Sequence, residues 1–224
     1  MRSYILQTTE DGSNTLFLPE LNEHFHSTHG AIQESNHVFL QAGLHALSLD
    51  EWHVFEVGFG TGLNALLTAF EATKAQKRCF YTTIELFPLT PAETDQLNYA
   101  VCLSDTSLIF NKIHQASWDQ AVDITPYFQL HKIHADFTRF NLPTNAFSLI
   151  YFDAFAPDKQ SEMWSKDLFT NLYDSLKPNG VLVTYSAKGS IRRMMQDIGF
   201  AVERLPGPPG KHEMLRGRKT IGLR

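Results

Sequence analysis

Residues 53–64, HVFEVGFGTGLN, set glycines at 58, 60 and 62 directly after an apolar run. Glycines so spaced let the backbone turn sharply and bring its N–H groups against a ligand, where a side chain would clash. A helix starting there aims its free N–H groups and positive dipole end at an anion. Two ligand classes use this geometry. Dinucleotides prefer G-x-G-x-x-G, whose third glycine admits the helix close to a pyrophosphate; here the third glycine comes one residue early and position 63 is Leu. S-adenosylmethionine has no phosphate and needs the helix end only for its carboxylate, so the spacing favours the methyl donor. Asn64, next along the chain, joins Gly58, Gly60 and Gly62 as a candidate cofactor ligand.

Three acids stand where strands should end. Glu85 follows CFYTTI and can accept hydrogen bonds from both hydroxyls of a ribose, of NAD as well as of S-adenosylmethionine. Asp136 closes FQLHKIHAD and can accept from an exocyclic adenine amine, or else cap a turn. Asp153 closes FSLIYFD, and an acid so delivered can hold an amine or deprotonate it. Phe155 and Trp164 follow as candidate flat walls for a base, with Asp158 and Lys159 on the loop between them.

The elements that would position these residues alternate. Strands are expected at 53–58, 79–85, 128–136, 147–153 and 180–186, and helices at 62–74, 91–101, 105–116, 161–176 and 190–200. The helix at 161–176 should stop at Lys177-Pro178-Asn179-Gly180, and that at 190–200 at Gly199. AVERL and part of EMLRGRKTIGLR supply a final antiparallel pair, and SYILQTTEDGSNTLFL reads as a hairpin turning at Asp11-Gly12. Alternation of this kind implies a mainly parallel sheet with helices on both faces, which binds ligands beyond the carboxyl ends of its strands. The expected organisation is an N-terminal extension or cofactor flap over 1–50, packed on one compact unit over 51–224.

With 43% apolar and 19% charged residues, 224 residues can bury a substantial core. No apolar run reaches the roughly 20 residues of a membrane span, and the N-terminus lacks a signal-peptide pattern. Cys79 and Cys102 are too few for a disulfide framework or a zinc cluster. A cytoplasmic location is therefore expected. Residues 188–224 hold nine of the 19 Lys and Arg but three of the 24 Asp and Glu, a local net of +6 that leaves −11 for residues 1–187. An acidic body with a basic end is compatible with nucleic-acid contact confined to one face, or with a solvated basic surface.

The stretches HFHSTHGAIQESNHVFL, VGFGTGLN, IELFPLT, DAFAPDKQSEMW, SAKGSIRRMMQDIGF and GPPGKHEMLRG run in order from about residue 24 to 217. Together they resemble the methyltransferase domain of the MnmC family, found also as stand-alone MnmD. The resemblance implies a Rossmann-like class I S-adenosylmethionine-dependent methyltransferase fold, mainly parallel, with a C-terminal antiparallel strand. It implies S-adenosylmethionine as cofactor and tRNA as partner, with methylation of the 5-aminomethyl nitrogen of (2-thio)uridine at wobble position 34. Bifunctional relatives carry a second, FAD-dependent domain for which 224 residues leave no room, so the expected substrate is the free aminomethyl form, with a functional link to the enzymes that install it. The resemblance also makes 24–35 a flap over the cofactor, with Glu34 or Ser35 in contact. Lys159, Arg192, Arg193, Lys211 and Arg216 join Phe155 and Trp164 as candidate tRNA contacts.

Other readings compete. His24, His26 and His29 lie close enough in sequence to suggest a metal site, yet no Cys or Glu-x-x-His pattern completes one, and no metal is expected. An aminopropyltransferase would use a decarboxylated form of the same donor, but a basic end repels a small polycation. A small-molecule amine N-methyltransferase shares the same residues. A catalytically silent tRNA-binding module should have lost Glu85 or Asp153, and both are present.

Overall fold

The computed structural model describes residues 2–104 and 106–220. The chain opens with the expected hairpin, β1 (Ile5–Thr8) against β2 (Asn14–Leu18), to which β3 (Glu23–His24) adds a third strand. Asp11 in the turn accepts from Ser13 N at 3.0 Å and from Gln33 N at 3.0 Å, tying the turn to α1 (Ala31–Ser35). That helix runs on into a π-helical stretch, Asn36–Gln41.

Next come β4 (Glu51–Val57), α2 (Leu63–Ala75), β5 (Arg78–Glu85), the short helices α3 (Pro91–Thr94) and α4 (Tyr99–Cys102), and α5 (Ser107–Gln115). The chain continues through β6 (Ala121–Thr125), β7 (Phe128–His134), β8 (Phe147–Phe152), α6 (Lys166–Ser175), β9 (Leu176–Thr184), α7 (Gly189–Ile198), β10 (Phe200–Pro206) and β11 (Glu213–Lys219). Strands order as β10-β11-β9-β8-β4-β5-β7-β6. The inner pairs β7/β5, β5/β4, β4/β8 and β8/β9 are parallel, while β6 and the inserted β11 with β10 are antiparallel. From β4 the chain builds outward to β5 and β7, then returns to β8 on the other side. The order reverses at β4/β8, the place where such sheets bind ligands.

The inner strands are apolar on both faces because both are covered. Leu149 and Tyr151 of β8 join one core with Phe39, Leu66 and Tyr81. Ile150 and Phe152 join the other with Trp164, Phe169, Leu172 and Met195.

Four expectations need correction. The helix expected over 91–101 is two short ones: Thr90 and Glu93 form a reciprocal cap, but the chain breaks at Asn98. There Asn98 Nδ2 donates to Gly12 O (2.8 Å) and Oδ1 accepts from Asn14 N (2.7 Å), so tertiary hydrogen bonds to the hairpin replace helical ones. The helix expected over 161–176 is a 3₁₀ turn, Ser161–Trp164, followed by α6, because Ser165 caps α6 by accepting from Leu168 N. Residues 177–180 form an irregularity inside β9, with Asn179 left-handed at φ 63, rather than a turn before it. Strand β6 was not expected; it pairs back on β7 across a short turn. Asp105, the first residue of the helix expected over 105–116, and the last four residues of the expected final strand lie outside the described residues.

Asn98→Ala removes the acceptor of the Asn14 N–H and a donor to the Gly12 carbonyl, and the predicted loss of folding stability is about 1–3 kcal/mol. Urea denaturation of the variant against the parent checks this; an unchanged midpoint would show that the hairpin does not depend on Asn98.

Candidate active site

A cavity of about 690 Å³ opens beyond the carboxyl ends of β4, β5, β7 and β8. That is within the range for a cofactor with part of a substrate. Gly58, Gly60, Asn64, Glu85, Asp136 and Asp153 all line it, on walls closed by Phe25, Glu34, Phe155, Tyr185 and Lys211.

The glycine turn is built for close approach. Gly58 has φ 88, and a Cβ there would lie 3.0 Å from the Asp153 carbonyl oxygen. Gly60, at φ 50, has room only as far as the Phe25 ring, 3.1 Å from a Cβ. Gly62, at φ 74, stands at the start of α2 against the rings of Phe59 and His114, behind the cavity rather than on its wall. Glu85 braces the turn: Oε2 accepts from Gly60 N at 3.1 Å and Oε1 from Phe87 N at 2.9 Å. Asp136 caps the 3₁₀ turn Phe137–Arg139, its Oδ1 accepting from Thr138 N at 2.9 Å. Asp136 thus takes the capping role and also lines the cavity.

Asp153 follows β8 and borders the cavity. Asn64 Nδ2 donates to its Oδ2 at 2.8 Å. Burial, together with the neighbouring Glu34 and Glu56 carboxyls, holds the Asp153 carboxyl well above the usual carboxylate range. Glu34, buried in α1, accepts from Ser27 N through Oε2 (2.7 Å) and from Lys211 Nζ through Oε1 (2.6 Å). The Lys211 ammonium also lies 4.0 Å from the centre of the Tyr185 ring. Glu34 and Lys211, far apart in sequence and expected in different roles, are one ion pair over the cavity.

The three histidines go to separate partners: His24 to Gln7, His29 to Glu10, and His26 to Thr15. Burial pushes His26 down to about 4, so it is neutral at pH 7. Among the described residues no group of three or more His, Cys, Asp or Glu is arranged to hold a metal. Nor is any helix among them long and apolar enough to cross a membrane.

Several expected site residues lie elsewhere. Trp164 is buried in the core against Phe152 and Phe169, its Nε1 donating to Phe155 O at 2.8 Å, so it supports Phe155 from behind. Lys159 donates to Asn22 O at 3.2 Å, and Asp158 pairs with Lys188. Arg216 is committed to Glu203 (2.6 Å) and to Ala42 O (3.1 Å) on the sheet. Arg192 and Arg193 belong to α7, away from the cavity wall. Sequence reasoning missed Tyr185, whose hydroxyl donates to Ala154 O at 2.9 Å. Its signal was available, since it directly follows β9.

Comparison with known proteins agrees with this geometry. The model of a family described as S-adenosyl-L-methionine-dependent methyltransferase matches residues 107–220. The tRNA 5-methylaminomethyl-2-thiouridine biosynthesis bifunctional protein MnmC of Cupriavidus necator is 31% identical over 216 residues, 88% of this chain and 32% of that protein. Its namesake in Burkholderia multivorans is 31% identical over 236 residues, covering 93% and 34%. The chain thus spans about a third of the length of these relatives. The crystal structure of MNMC2 from Aquifex aeolicus superposes with a TM-score of 0.80 at 21% identity, over 99% of this chain and 72% of that one. Spermidine synthase from Thermotoga maritima superposes at 0.53 with 14% identity, over 100% and 74%. At such identities the two structures bear on the fold alone, and that fold is the Rossmann-like methyltransferase one.

Proposed function

The chain belongs to the S-adenosyl-L-methionine-dependent methyltransferase family, and from that premise we propose that it methylates the 5-aminomethyl nitrogen of (2-thio)uridine at tRNA position 34. The substrate class is supported by identity over most of the chain with proteins named for 5-methylaminomethyl-2-thiouridine biosynthesis. The observation that carries the chemistry is Asp153: a carboxyl of raised proton affinity, held by Asn64, opening on the cavity beside the glycine turn.

The cavity fits the cofactor. Gly58 and Gly60 line it at positive φ, where a Cβ would press on the Asp153 carbonyl and the Phe25 ring, and the carboxyl of Glu85 stands at the end of β5 to receive ribose hydroxyls. Bound there, S-adenosyl-L-methionine supplies an electrophilic methyl group on sulfur. The chain's own work is then to bind, align and deprotonate the amine. An alkylammonium with a Lys-like pKa of ~10.4 resists losing its proton at pH 7 by about 4–5 kcal/mol. Each unit by which Asp153 is raised narrows the gap to the amine by about 1.4 kcal/mol. The nitrogen lone pair forms the new N–C bond, the C–S bond breaks, and Asp153 takes the proton. Phe155 lines the cavity as a flat apolar surface for the uracil ring, and Tyr185 lines it with the Lys211 ammonium over its ring. Residues 1–50 act as the flap: Phe25 meets the Gly60 turn, and Glu34 clasps Lys211 across the opening.

Contact with tRNA falls to α7 in this reading, since Lys211 and Arg216 are engaged within the protein. Arg193 is exposed and Arg192 half-buried. The reading puts the protein in the cytoplasm, downstream of an enzyme that generates the free amine. The deciding experiment supplies labelled S-adenosyl-L-methionine and tRNA bearing 5-aminomethyl-2-thiouridine, then digests the tRNA to nucleosides. Label in 5-methylaminomethyl-2-thiouridine is expected; label in any other nucleoside, or none, overturns the assignment.

Four variants are predicted to separate the roles. Glu85→Ala should weaken S-adenosyl-L-methionine binding by about 1–3 kcal/mol, because the ribose hydroxyls lose a charged acceptor and the glycine turn loses its brace. Calorimetry reads the dissociation constant, and no change would remove Glu85 from the cofactor site. Asp153→Asn should nearly abolish single-turnover methylation while cofactor affinity stays within about threefold, since an amide takes up no proton. Because Asp153 is raised, and only its ionised form accepts a proton, the parent's rate should fall as pH drops through that raised value, above the ordinary ~4 of an aspartate. A rate flat down to pH 4 would contradict the assignment. Arg192→Glu with Arg193→Glu should raise the KM for tRNA and flatten its salt dependence, while Lys211→Met leaves the salt slope alone.

A further inference from the structure

The cavity that would take the target nucleoside is acidic. Glu23, Glu34, Glu85, Asp136, Asp153 and Glu162 line it against Arg2 and Lys211, and Lys211 is already paired with Glu34. Such walls repel an RNA backbone, so its phosphates need a place outside them. A second groove, of about 500 Å³, opens beside the cavity and shares Ala156, Tyr185 and Lys211 with it. It runs along Ser186, Ala187 and Lys188, between the end of β9 and the start of α7. Lys188 stands at the α7 cap with no side-chain cap bond, and its carbonyl accepts from Arg192 N at 3.0 Å. The N–H groups of Gly189, Ser190 and Ile191 therefore have no acceptor in the helix, and none is found among the other described residues. Two side chains meet them there. Ser186 is buried, at 6% exposure, and lines the groove; its N–H donates to Thr184 Oγ1 at 3.4 Å, but its hydroxyl bonds to no described residue. Arg193 is exposed and in no ion pair among the described residues, and it folds back on the first turn of α7: a Cβ at Gly189 would lie 3.3 Å from its Nη1.

We propose that this groove and the first turn of α7 bind one phosphodiester of the RNA, the linkage next to the nucleoside held in the cavity. Such a site presupposes the reading of the chain as a tRNA methyltransferase, and gives its α7 contact a place and a chemical class. A phosphate there faces free N–H groups and the positive end of the helix dipole. Ser186 adds a hydroxyl donor and Arg193 a guanidinium, the group best shaped for phosphate oxygens. The acids nearby are matched already, Asp158 by Lys188 and Glu213 by Arg204 at 3.3 Å. Tyr185, fixed through its hydroxyl to Ala154 O at 2.9 Å, lines both compartments. A nucleoside carries a linkage on each side, so a base in the cavity leaves one of them on the Tyr185 side, over the groove. The site reads backbone rather than sequence, and its work is to set the position of the nucleoside beside it.

The test removes the phosphate charge one linkage at a time. Full-length tRNA bearing 5-aminomethyl-2-thiouridine is assembled by ligation with a single methylphosphonate, an uncharged linkage, at each position of the anticodon loop in turn. Binding is read by fluorescence anisotropy and kcat/KM by transfer of labelled methyl groups. With the parent protein, a methylphosphonate at one of the two linkages flanking the target nucleoside should lower both readouts about tenfold, and at the other loop positions about twofold or less. Arg193→Ala should lower them about tenfold on unsubstituted tRNA, and Ser186→Ala by about threefold. In Arg193→Ala the sensitive methylphosphonate should cost no more than about twofold further, since the charge has already lost its partner. S-adenosyl-L-methionine affinity in both variants should stay within about threefold of the parent, which shows that the fold and the cavity are intact. Equal penalties at every linkage, no penalty at either flanking one, or penalties that simply multiply in Arg193→Ala overturn the proposal. The two levels of inference fail separately. If the parent binds this tRNA with one sensitive flanking linkage but transfers no methyl group to it, the assigned reaction fails and the phosphate site stands. If it methylates the tRNA while neither flanking linkage matters, the phosphate site alone fails.

Discussion

The parallel pairing of β4 with β5 on one side and β8 on the other is the constraint on which the rest of the molecule depends. Parallel strands end together, and here the register sets Val57 against Ile84 and against Phe152. The residues just beyond, Gly58, Glu85 and Asp153, therefore emerge at one edge although the chain separates them widely. Two backbone bonds lock the edge: Gly58 N donates to Ile84 O at 3.1 Å and Asp153 N to Val57 O at 3.1 Å. A slip of one residue would reverse every side chain between the two cores and scatter the three groups. The hydrophobic pattern that fills both faces of the sheet is thus also what assembles the cavity.

The cavity is closed by parts that the sheet does not supply. The N-terminal segment is fastened to the body at Asn98 and at Glu34 through Lys211. The last bond joins a lid residue to the loop between β10 and β11, at the edge of the sheet, where His37 also bonds to Pro206 O at 2.8 Å. Gly210 packs so tightly on the flap that a Cβ would meet the His29 ring at 2.3 Å. Flap and loop consequently form one lid made from both ends of the chain. The pair is partly exposed on the lysine side but buried on the glutamate side, where Glu34 also accepts from Ser27 N, so it holds flap and loop together.

What was legible in the sequence follows from this division. Strand ends, the glycine turn and the acids after the strands are local signals, written in short apolar runs and in residues that tolerate positive φ. Gly58, Gly60, Glu85 and Asp153 could be read that way, and so could the final antiparallel pair. Partners at long range could not. Basic residues near the C-terminus suggested RNA contacts, yet Arg216 and Lys211 are paired with Glu203 and Glu34, and nothing local to either end announces those pairs. Trp164 was misassigned because an aromatic near a candidate site reads alike whether it faces the cavity or supports the loop from below. The helix over 91–101 failed for a related reason: its propensity is helical, but Asn98 gains two hydrogen bonds to the hairpin by leaving the helix.

The charges around Asp153 form a set in which each member limits the others. Under the proposed reaction the cavity must hold two cationic groups close together, a sulfonium and an ammonium. Two unit charges 4 Å apart repel by about 4 kcal/mol at an effective dielectric of 20. Two free carboxylates would relieve that repulsion but would also stabilise the ammonium form, which cannot attack. Glu34 is withdrawn from the contest by Lys211. Asp153 is left as the acid that answers to the substrate, raised by burial so that it gains a proton readily and tethered by a single amide so that it points the right way. Loss of that proton from the amine removes the repulsion between the two ligands and exposes the lone pair in the same step. The ion pair above the sheet edge leaves a single carboxylate to do both.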